Sequence, residues 1–418
     1  MLIKCAEIDA TQPFQPIYVD WRYHQLDVLV TWGRRPLGIL SLPCKTEQRN
    51  FSVERLQSEI INHFGQQIWD ESVAGTLDRA MDVERPLPPI SVITCTRDRP
   101  LSLQRCLETL AQLDYPTYEV VVVDNCSRDP KVAEIVTASG FRYVREDRPG
   151  LDWARNRGIQ EARYGIVAYI DDDALASPGW LRGVAMGFEQ PDIMAVTGLV
   201  LPAEIETGAQ HDFERYGGMS GGFSSYTIRR REIGDKALFW ASGWGVGANM
   251  AFRRELFEAI GQFDVALDVG TPTCGGGDIE FFYRTVAAGF VLRYEPAALM
   301  RHVHRRDGAS FRRLVYNNGR SFAAYLLTIM RNEPHRRIAV LRFALRSWIW
   351  AWLLRRLVRS VVKRDRWTFR LALIELWGSC SAWHAYREAQ HVAAGLKRGA
   401  LPAPSTVGAA AERGAPIH

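Results

Sequence analysis

The sequence has few cysteines and no long uncharged apolar run. Its seven cysteines include no Cys-x-x-Cys pair, so neither a disulfide framework nor a structural zinc site is expected. The most apolar stretch, residues 338–362, is interrupted by five arginines, whereas a membrane-spanning helix needs about 18 uncharged apolar residues. Lys4, Glu7 and Asp9 interrupt any apolar core of a secretory signal. These absences predict a cytoplasmic protein.

The sequence also lacks the Gly-x-Gly-x-x-Gly turn of a dinucleotide-dependent oxidoreductase. Thr-Cys-Thr-Arg-Asp-Arg-Pro follows the first predicted strand of the central region instead, which excludes that class. No nucleic-acid recognition motif accompanies the basic residues, so a nucleic-acid partner is not expected.

Apolar strands alternate with amphipathic helices from residue 90 onward. This alternation predicts an α/β fold with a parallel sheet covered on both faces. Ligands of such sheets bind beyond the carboxyl ends of the strands. The predicted strands and helices are 90–94, 101–113, 119–123, 131–137, 141–144, 151–162 and 166–170.

The flanking regions differ from this pattern. A hairpin pattern at 16–43 and a helical one at 51–70 predict a small α+β unit over residues 1–85. The catalytic domain is predicted at 86–309, with loops over 205–248 and helices at 253–259, 278–288. Residues 310–398 are predicted to be helical, and the Ala/Gly/Pro-rich segment 399–418 a disordered tail.

Three adjacent acids, Asp171, Asp172 and Asp173, end the last of these strands. Adjacent carboxylates repel one another, and a hard divalent cation such as Mn²⁺ or Mg²⁺ would relieve that repulsion. The alternative is a solvated acidic turn before Ser177.

The acids complete a series of four motifs in the central region. These are Ser91-Val-Ile-Thr-Cys-Thr-Arg97, Val121-Val-Val-Asp-Asn-Cys-Ser127, Gly150-Leu-Asp-Trp-Ala-Arg-Asn-Arg-Gly158 and Tyr169-Ile-Asp-Asp-Asp173. In order and spacing they resemble the motifs of family 2 glycosyltransferases, which are inverting, nucleotide-sugar-dependent enzymes. The resemblance extends from about residue 89 to 305. It implies a GT-A-type, Rossmann-like nucleotide-sugar-binding domain.

The resemblance assigns a group of residues to the nucleotide sugar, with a UDP-sugar favoured. Asp124 would accept a hydrogen bond from the base, and Arg155 would either approach the diphosphate or hold Asp171. The assigned residues are Thr94, Thr96, Arg97, Asp124, Asn125, Arg155, Asn156, Asp171, Asp172, Gly247 and Asn249.

The resemblance also implies a metal site. Asp171 and Asp173 match the two acids of a DxD motif, and a histidine completes the site in some members. His302 is favoured and His304 stays open, because both would share one face of an extended strand. A bound cation would stabilise the charge of the departing nucleoside diphosphate.

A further motif, Gly275-Gly-Gly-Asp278-Ile-Glu280, implies the catalytic base. Asp278 takes the base position, where an inverting transfer needs one carboxylate; the alternative is a helix N-cap. The sequence departs from the family at Gly277, where Glu is usual. Glu280, Gly277 and Trp244 are expected to support the base or the acceptor.

The predicted helical region carries an uneven charge. Residues 331–370 contain 12 Lys and Arg against two acids, although the whole chain has a net charge of only +5. The basic residues 355, 359, 363, 366 and 370 would form one helical stripe, with Trp348 and Trp352 near its edge. Such a helix either contacts an anionic membrane, here the inner face of the cell membrane, or packs on the core with a solvated basic side.

Together these features predict an inverting, metal-dependent glycosyltransferase that transfers a sugar to a sugar, lipid-linked or other hydroxyl acceptor. A processive synthase is disfavoured, because Lys363-Arg-Asp-Arg-Trp367 lacks the Gln of the processive motif. The alternative is a non-catalytic nucleotide-sugar-binding or scaffold protein on the same fold, which the departure at Gly277 supports.

Overall fold

The computed structural model describes residues 2–45, 49–80 and 87–399. The predicted fold class is confirmed: a Rossmann-like α/β sheet carries a small N-terminal α+β unit and a helical C-terminal region. The boundary predicted at 85–86 and, apart from Gly399, the predicted tail 399–418 lie outside the described residues.

The N-terminal unit is a three-stranded sheet covered by one long helix. β1 runs parallel to β3, and β3 turns antiparallel into β4 at Gly33, whose φ of +60° favours glycine. Leu29 packs with Leu199 and Leu299 of the large sheet, which joins the two sheets. The elements are β1 Ile3–Asp9, β2 Ile17–Tyr18, β3 Gln25–Trp32, β4 Arg35–Pro43, β5 Asn50–Phe51 and α1 Val53–Ala80.

The large sheet contains nine described strands and has helices on both faces. Its strands are β6 Ile90–Thr96, β7 Tyr118–Asn125, β8 Arg142–Glu146, β9 Ile166–Asp171, β10 Ala174–Ala176, β11 Ile193–Pro202, β12 Tyr226–Ile228, β13 Asn249–Arg253 and β14 Val291–His302. Its α-helices are α2 Pro100–Leu110, α3 Lys131–Ser139, α4 Leu151–Glu161, α5 Trp180–Gly187, α6 Gly208–Tyr216, α7 Asp235–Phe239, α8 Glu255–Ile260 and α9 Gly277–Ala287.

The sheet is mixed, and one parallel part of it is formed by the strands predicted between residues 90 and 170. Strands β9, β6, β7 and β8 lie side by side and parallel, as the alternation of strands and helices indicates. β13 then pairs antiparallel with β9 on one side and β11 on the other. Its five residues follow a Gly-rich segment, so the sequence pattern did not predict a strand there.

The segment 205–248 is more ordered than the loops predicted for it. It contains α6, β12 and α7, together with two short 3₁₀ helices at Arg230–Glu232 and Ala241–Gly243. α6 begins with a reciprocal capping box between Thr207 and Gln210, which satisfies two backbone N–H groups of the first turn.

The C-terminal region is helical, as predicted, and contains one long π-helix. Its elements are α10 Gly308–Asn332, a 3₁₀ turn Pro334–Arg336, α11 Arg337–Phe343, a π-helix Ala344–Leu354, α12 Arg355–Val362 and α13 Arg366–Lys397. The predicted basic stripe is not continuous, because α12 ends at Val362 and Arg364 takes a φ of +54°. Within the described ranges, no helix combines the length and apolarity needed to cross a bilayer.

Two glycines set the distance between α10 and α13. A Cβ on Gly319 would lie 2.0 Å from the carbonyl oxygen of Glu375, and one on Gly378 would lie 1.9 Å from the carbonyl oxygen of Tyr316. Both distances are far below van der Waals contact, so only glycine permits this backbone approach.

Candidate active site

The carboxylates and the histidine of the predicted metal site meet at one edge of the sheet. β9 ends at Asp171, and the chain returns as β10, which pairs antiparallel with the end of β14. Ala174 lies opposite His302 in this pairing. The register therefore places the imidazole next to the acids that precede Ala174.

Asp171, Asp173 and His302 form a group suited to a divalent cation. Each offers one ligand atom, and the three atoms lie within 4.8 Å of one another. Nε2 of His302 is 3.0 Å from an oxygen of Asp173. Two carboxylates and one imidazole are a donor set that Mn²⁺ accepts, and Mg²⁺ prefers oxygen ligands. The residues present therefore fit the implied metal.

The charges of this group shift its pKa values in opposite directions. Burial, with the charge of Asp173, raises the pKa of Asp171 to about 7. Burial also acts on Asp173, but the hydrogen bond and charge of His302, with the charge of Arg99, hold the pKa of that carboxyl below its usual value. Asp173 is thus held as an anion, whereas Asp171 needs a cation nearby to ionise fully.

His304 is not part of the group of metal-ligand atoms, but it forms a hydrogen bond with His302. Nδ1 of His302 lies 3.1 Å from Nδ1 of His304, and Nε2 of His304 lies 2.8 Å from Glu214 on α6. A carboxylate only accepts, so neutral His304 carries its proton on Nε2. Its Nδ1 then accepts from the Nδ1–H of His302. Nε2 of His302 is the nitrogen that faces the acids and donates to Asp173; loss of that proton would leave the tautomer that a metal ligand requires.

Asp172 is held by residues at the end of β6 and just after it. One of them, Arg99, was not among the predicted site residues. Asp172 accepts a hydrogen bond of 2.7 Å from Thr96. Arg99 donates to Asp172 and to Asp173, both at 3.0 Å. Arg99 lies two positions after Arg97 of the predicted nucleotide loop. This position could have identified it as a site residue.

The two polar residues at the end of β7, Asp124 and Asn125, form hydrogen bonds with other protein groups. Asp124 accepts from the backbone N–H of Ser127 at 2.8 Å and from Tyr143 at 2.6 Å, and its second oxygen also pairs with Arg145. Asn125 lines the cavity and accepts from the backbone N–H of Gly150 at 2.8 Å.

Three residues assigned to the nucleotide sugar do not reach the cavities. Thr94 is fully buried within the sheet. The side-chain amide of Asn156 exchanges two hydrogen bonds with the backbone of Phe263, each 3.0 Å long. Asn249 accepts from the indole of Trp180 and donates to two backbone carbonyls in the core. The hydrogen bonds of Asn156 and Asn249 are thus used within the protein, and a nucleotide-sugar role for the three residues stays a prediction.

Two of the predicted acceptor-site residues are also structural. Trp244 packs in the core, and its carbonyl accepts from Thr197. Glu280 forms an ion pair of 2.8 Å with Arg284 on the same helix. Trp240, four residues before Trp244, lines the cavity that also contains Asp278. The 3₁₀ turn after α7 separates the two tryptophans, and Trp244 points into the core.

Arg155 lies at the centre of a second acidic group, in which Asp152 and Asp268 are buried. It donates to Asp152 at 2.9 Å and to Asp268. Of the two predicted roles of Arg155, a hydrogen bond to Asp171 is not formed among the described residues, and an approach to the diphosphate stays a prediction. Asp268 was missed because it lies 113 positions away in the chain, on a loop without a family motif.

Asp278 belongs to this second group and begins α9. One of its oxygens accepts from the backbone N–H of Gly247 at 2.7 Å, and the other from that of Ile279 at 2.8 Å. A Cβ on Gly247 would lie 2.9 Å from the Asp278 carboxylate, so glycine permits this approach. Burial and the neighbouring charge of Asp268 raise the pKa of Asp278, and Arg155 opposes that rise.

The departure from the family at Gly277 has a direct structural counterpart. A Cβ on Gly277 would lie 2.0 Å from an oxygen of Asp152. That oxygen is buried and has no hydrogen-bond partner among the described residues. A carboxylate from α4 therefore occupies the space into which a side chain at position 277 would extend.

Two adjoining cavities connect the acidic groups. One, of 450 Å³, is lined by Asn125 and by Asp171–Asp173. The other, of 520 Å³, is lined by Arg155 and Asp278. Asp171 lines both. The far wall of the second cavity is aromatic and is formed by Phe213, Tyr216, Trp240, Phe322, Trp348 and Trp352.

Residues 91–261 match the model of glycosyl transferase family 2. Glycosyltransferase AglE of Haloferax volcanii is 26% identical over 230 residues, which are 53% of this chain and 69% of that protein. The glucosyl-dolichyl phosphate glucuronosyltransferase of the same organism is 26% identical over 191 residues, which are 42% of this chain and 56% of that protein.

Among solved structures, the mannosyltransferase PcManGT from Pyrobaculum calidifontis, in complex with GDP-mannose and Mn²⁺, is 18% identical. The alignment covers 84% of this chain and 94% of that one, with a TM-score of 0.45. Residues 91–261, which contain the motifs from Ser91 to Asp173, are thus a glycosyltransferase domain of family 2.

Proposed function

We propose that this glycosyltransferase is metal-dependent and inverting, and that it transfers a sugar from a nucleotide-sugar donor to an acceptor hydroxyl. The observation that carries the proposal is the pair of adjoining cavities that share Asp171. A metal-ligating group faces one of them, and a buried carboxylate with a raised pKa faces the other.

The donor occupies the first cavity in this proposal. Asp171, Asp173 and His302 would hold Mn²⁺ or Mg²⁺, which stabilises the negative charge of the leaving nucleoside diphosphate when bound. Thr96 and Arg97 lie beside the base and ribose, and Asn125 lines the same cavity. A UDP-sugar is the favoured donor, with Asp124 fixing the edge of the base-binding loop.

Asp278 is the proposed base. It takes the proton from the acceptor hydroxyl as the oxygen forms a bond to C1 of the donor sugar. The C1–O bond to the diphosphate breaks on the opposite face, and its electron pair leaves with the nucleotide, which inverts the anomeric centre. The backbone N–H groups of Gly247 and Ile279 hold the carboxylate in place. Its raised pKa brings its basicity closer to that of a useful general base.

The acceptor occupies the second cavity, whose aromatic wall suits a sugar ring or an apolar carrier. One relative is named for action on glucosyl-dolichyl phosphate, a lipid-linked sugar. The proposal therefore includes lipid-linked acceptors in glycolipid, polysaccharide or other glycoconjugate synthesis, and peripheral contact with the inner face of the cell membrane. The division into units at 1–85, 86–309 and 310–398 is part of it.

A non-catalytic binding protein is the alternative that Gly277 suggested. The carboxylate of Asp152 beside Gly277 counts against it, because this region of the site still holds an acid.

The test is release of nucleoside diphosphate from a panel of nucleotide sugars, with Mn²⁺ and a hydroxyl acceptor. Asp278→Asn should lower transfer by roughly 10²–10⁴-fold and keep Mn²⁺-dependent nucleotide binding. Glu258→Gln, an exposed acid of α8, is the matched control and should transfer at the wild-type rate. Normal transfer by Asp278→Asn would show that the base assignment is wrong.

A further inference from the structure

One continuous helix forms both the wall of the acceptor cavity and an exposed surface. α11, the π-helix and α12 run from residue 337 to 362 without a break, since Ala344 and Arg355 at the two junctions have helical backbone angles. This "outer helix", residues 337–362, packs with one face against the protein and presents the other to solvent.

The inner face contributes aromatic rings to the acceptor cavity. Trp348 is 6% exposed and packs on Phe322, with the ring centroids 5.1 Å apart and the rings tilted by 55°. Trp352 meets Trp240 at 5.7 Å. The indole N–H of Trp352 donates to buried Glu375 at 2.8 Å, which fixes the ring at the cavity.

The outer face of the same helix is unusually apolar for a surface. Ile338 is 75% exposed, Trp350 65% and Val362 78%. Single exposed apolar residues are common, but a series along one helix marks an interaction surface. The exposed apolar residues of this face are Ile338, Leu341, Leu345, Trp350, Val358, Val361 and Val362.

Basic residues are interspersed with these apolar side chains. From Pro334 to Arg364 the chain contains nine Lys and Arg and no acid. Seven of the nine form no ion pair with any residue that the structure describes, and these are Arg337, Arg342, Arg346, Arg355, Arg359, Lys363 and Arg364. A second copy of this surface would repel the first, so the charge favours an anionic partner.

We propose that the outer helix lies in the headgroup region of an anionic lipid bilayer and that the cavity behind it takes its acceptor from that bilayer. This proposal rests on the proposed function. Exposed valine and tryptophan side chains enter the boundary between headgroups and acyl chains, while the arginines contact lipid phosphates. An acidic protein or a nucleic acid would satisfy the charges but would leave the apolar side chains in water.

The tryptophans of the outer helix divide between its two faces. Its central segment is a π-helix, a rare conformation that often occurs at functional sites. Trp348 and Trp352 line the cavity, whereas Trp350, between them, is 65% exposed. The reacting hydroxyl of an acceptor would thus enter beside Trp352 and reach Asp278 along the aromatic wall, with its carrier still in the membrane.

Co-sedimentation of the full chain with vesicles tests the surface. Vesicles of phosphatidylcholine with phosphatidylglycerol should bind the protein, and vesicles of phosphatidylcholine alone should bind it far less. Reversing two charges by R355E/R359E should weaken anionic-vesicle binding about tenfold or more. Replacing two valines by V361S/V362S should give a smaller, several-fold loss.

Matched controls lie on other faces of the molecule. Arg231→Glu reverses an exposed charge of the 3₁₀ turn, and Leu101→Ser removes an exposed apolar side chain of α2. Both should bind vesicles as the wild type does. Equal binding of the R355E/R359E variant and the wild type would overturn the proposal. So would binding to single-stranded RNA but not to vesicles, or a dimer that V361S/V362S abolishes in the absence of lipid.

Slow hydrolysis of the nucleotide sugar in water separates this proposal from the proposed function. R355E/R359E should hydrolyse the donor at the wild-type rate while losing vesicle binding. If the wild type binds vesicles but turns over no donor in the whole panel, the proposed function fails and the surface stands. If it turns over donor in solution but ignores anionic vesicles, the surface fails and the proposed function stands.

Discussion

The two acidic groups of this glycosyltransferase neutralise their charge in different ways. In the proposed donor site, Asp171 and Asp173 face a cavity in which His302 and the half-exposed Arg99 contact Asp173. In the proposed acceptor site, the side chain of Arg155 is 4% exposed and lies among Asp152, Asp268 and Asp278. The first group is therefore suited to an external cation. The second contains a buried cation of its own, beside the carboxylate that we propose as the base.

Arg155→Met should have the largest effect, because it leaves buried carboxylates without their cation. We expect a loss of about 3–5 kcal/mol in the free energy of unfolding, measured by urea denaturation. Arg157→Met removes an exposed ion pair with Glu161 from the same helix and should cost at most about 1 kcal/mol. Similar losses for the two variants would mean that the Arg155 group is not held together by charge.

Asp173→Asn should have the next largest effect and should act only at the donor end. Mn²⁺ affinity, followed by the electron paramagnetic resonance signal of the free ion, should fall by more than the roughly 10- to 100-fold that loss of an outer partner costs. Asp152→Asn, at the acceptor end, should leave that affinity unchanged. A loss of Mn²⁺ binding in both variants would remove the distinction between the two groups.

Glu214→Gln should weaken Mn²⁺ binding by about tenfold. The amide can donate as well as accept, so it no longer fixes the tautomer of His304 and, through it, that of His302. The ¹⁵N chemical shifts of both imidazoles in the metal-free protein report the change directly. Asp212→Asn, on the same helix, should alter neither the shifts nor the affinity. Unchanged shifts in Glu214→Gln would show that the carboxylate does not select the tautomer.

The smallest effect is a shift of the pH–rate profile. A raised pKa means that Asp278 holds its proton to a higher pH than an ordinary carboxyl does, so transfer is lost as the pH falls through that raised pKa. Asp268→Asn removes a negative charge and frees Arg155, and both changes lower the pKa of Asp278. The acid limb should move to lower pH. A shift to higher pH would contradict the electrostatic role of Asp268.

The sequence predicted best what depends on neighbouring residues. Strands β6 to β9 and the acids at the end of β9 follow from local apolar runs and motif spacing. The partners of Arg155 did not follow, since Asp268 and Asp278 reach it only through the folding of two distant segments. Asn156 and Asn249 occupy motif positions, yet their side chains form hydrogen bonds with groups inside the protein. A motif alone does not reveal those partners.

The glycine contact between α10 and α13 bears on the range of acceptors. Gly319 touches the backbone of Glu375, and the Glu375 carboxylate holds Trp352 and Arg356 on the cavity side. The thickness of this helix pair therefore sets how far the aromatic wall stands from Asp278. A single methyl group added at Gly319 would push α13 away from α10. This movement would displace the aromatic wall and change the shape of the second cavity. We therefore expect a substitution at Gly319, outside the lining of the proposed acceptor cavity, to change which acceptors are used.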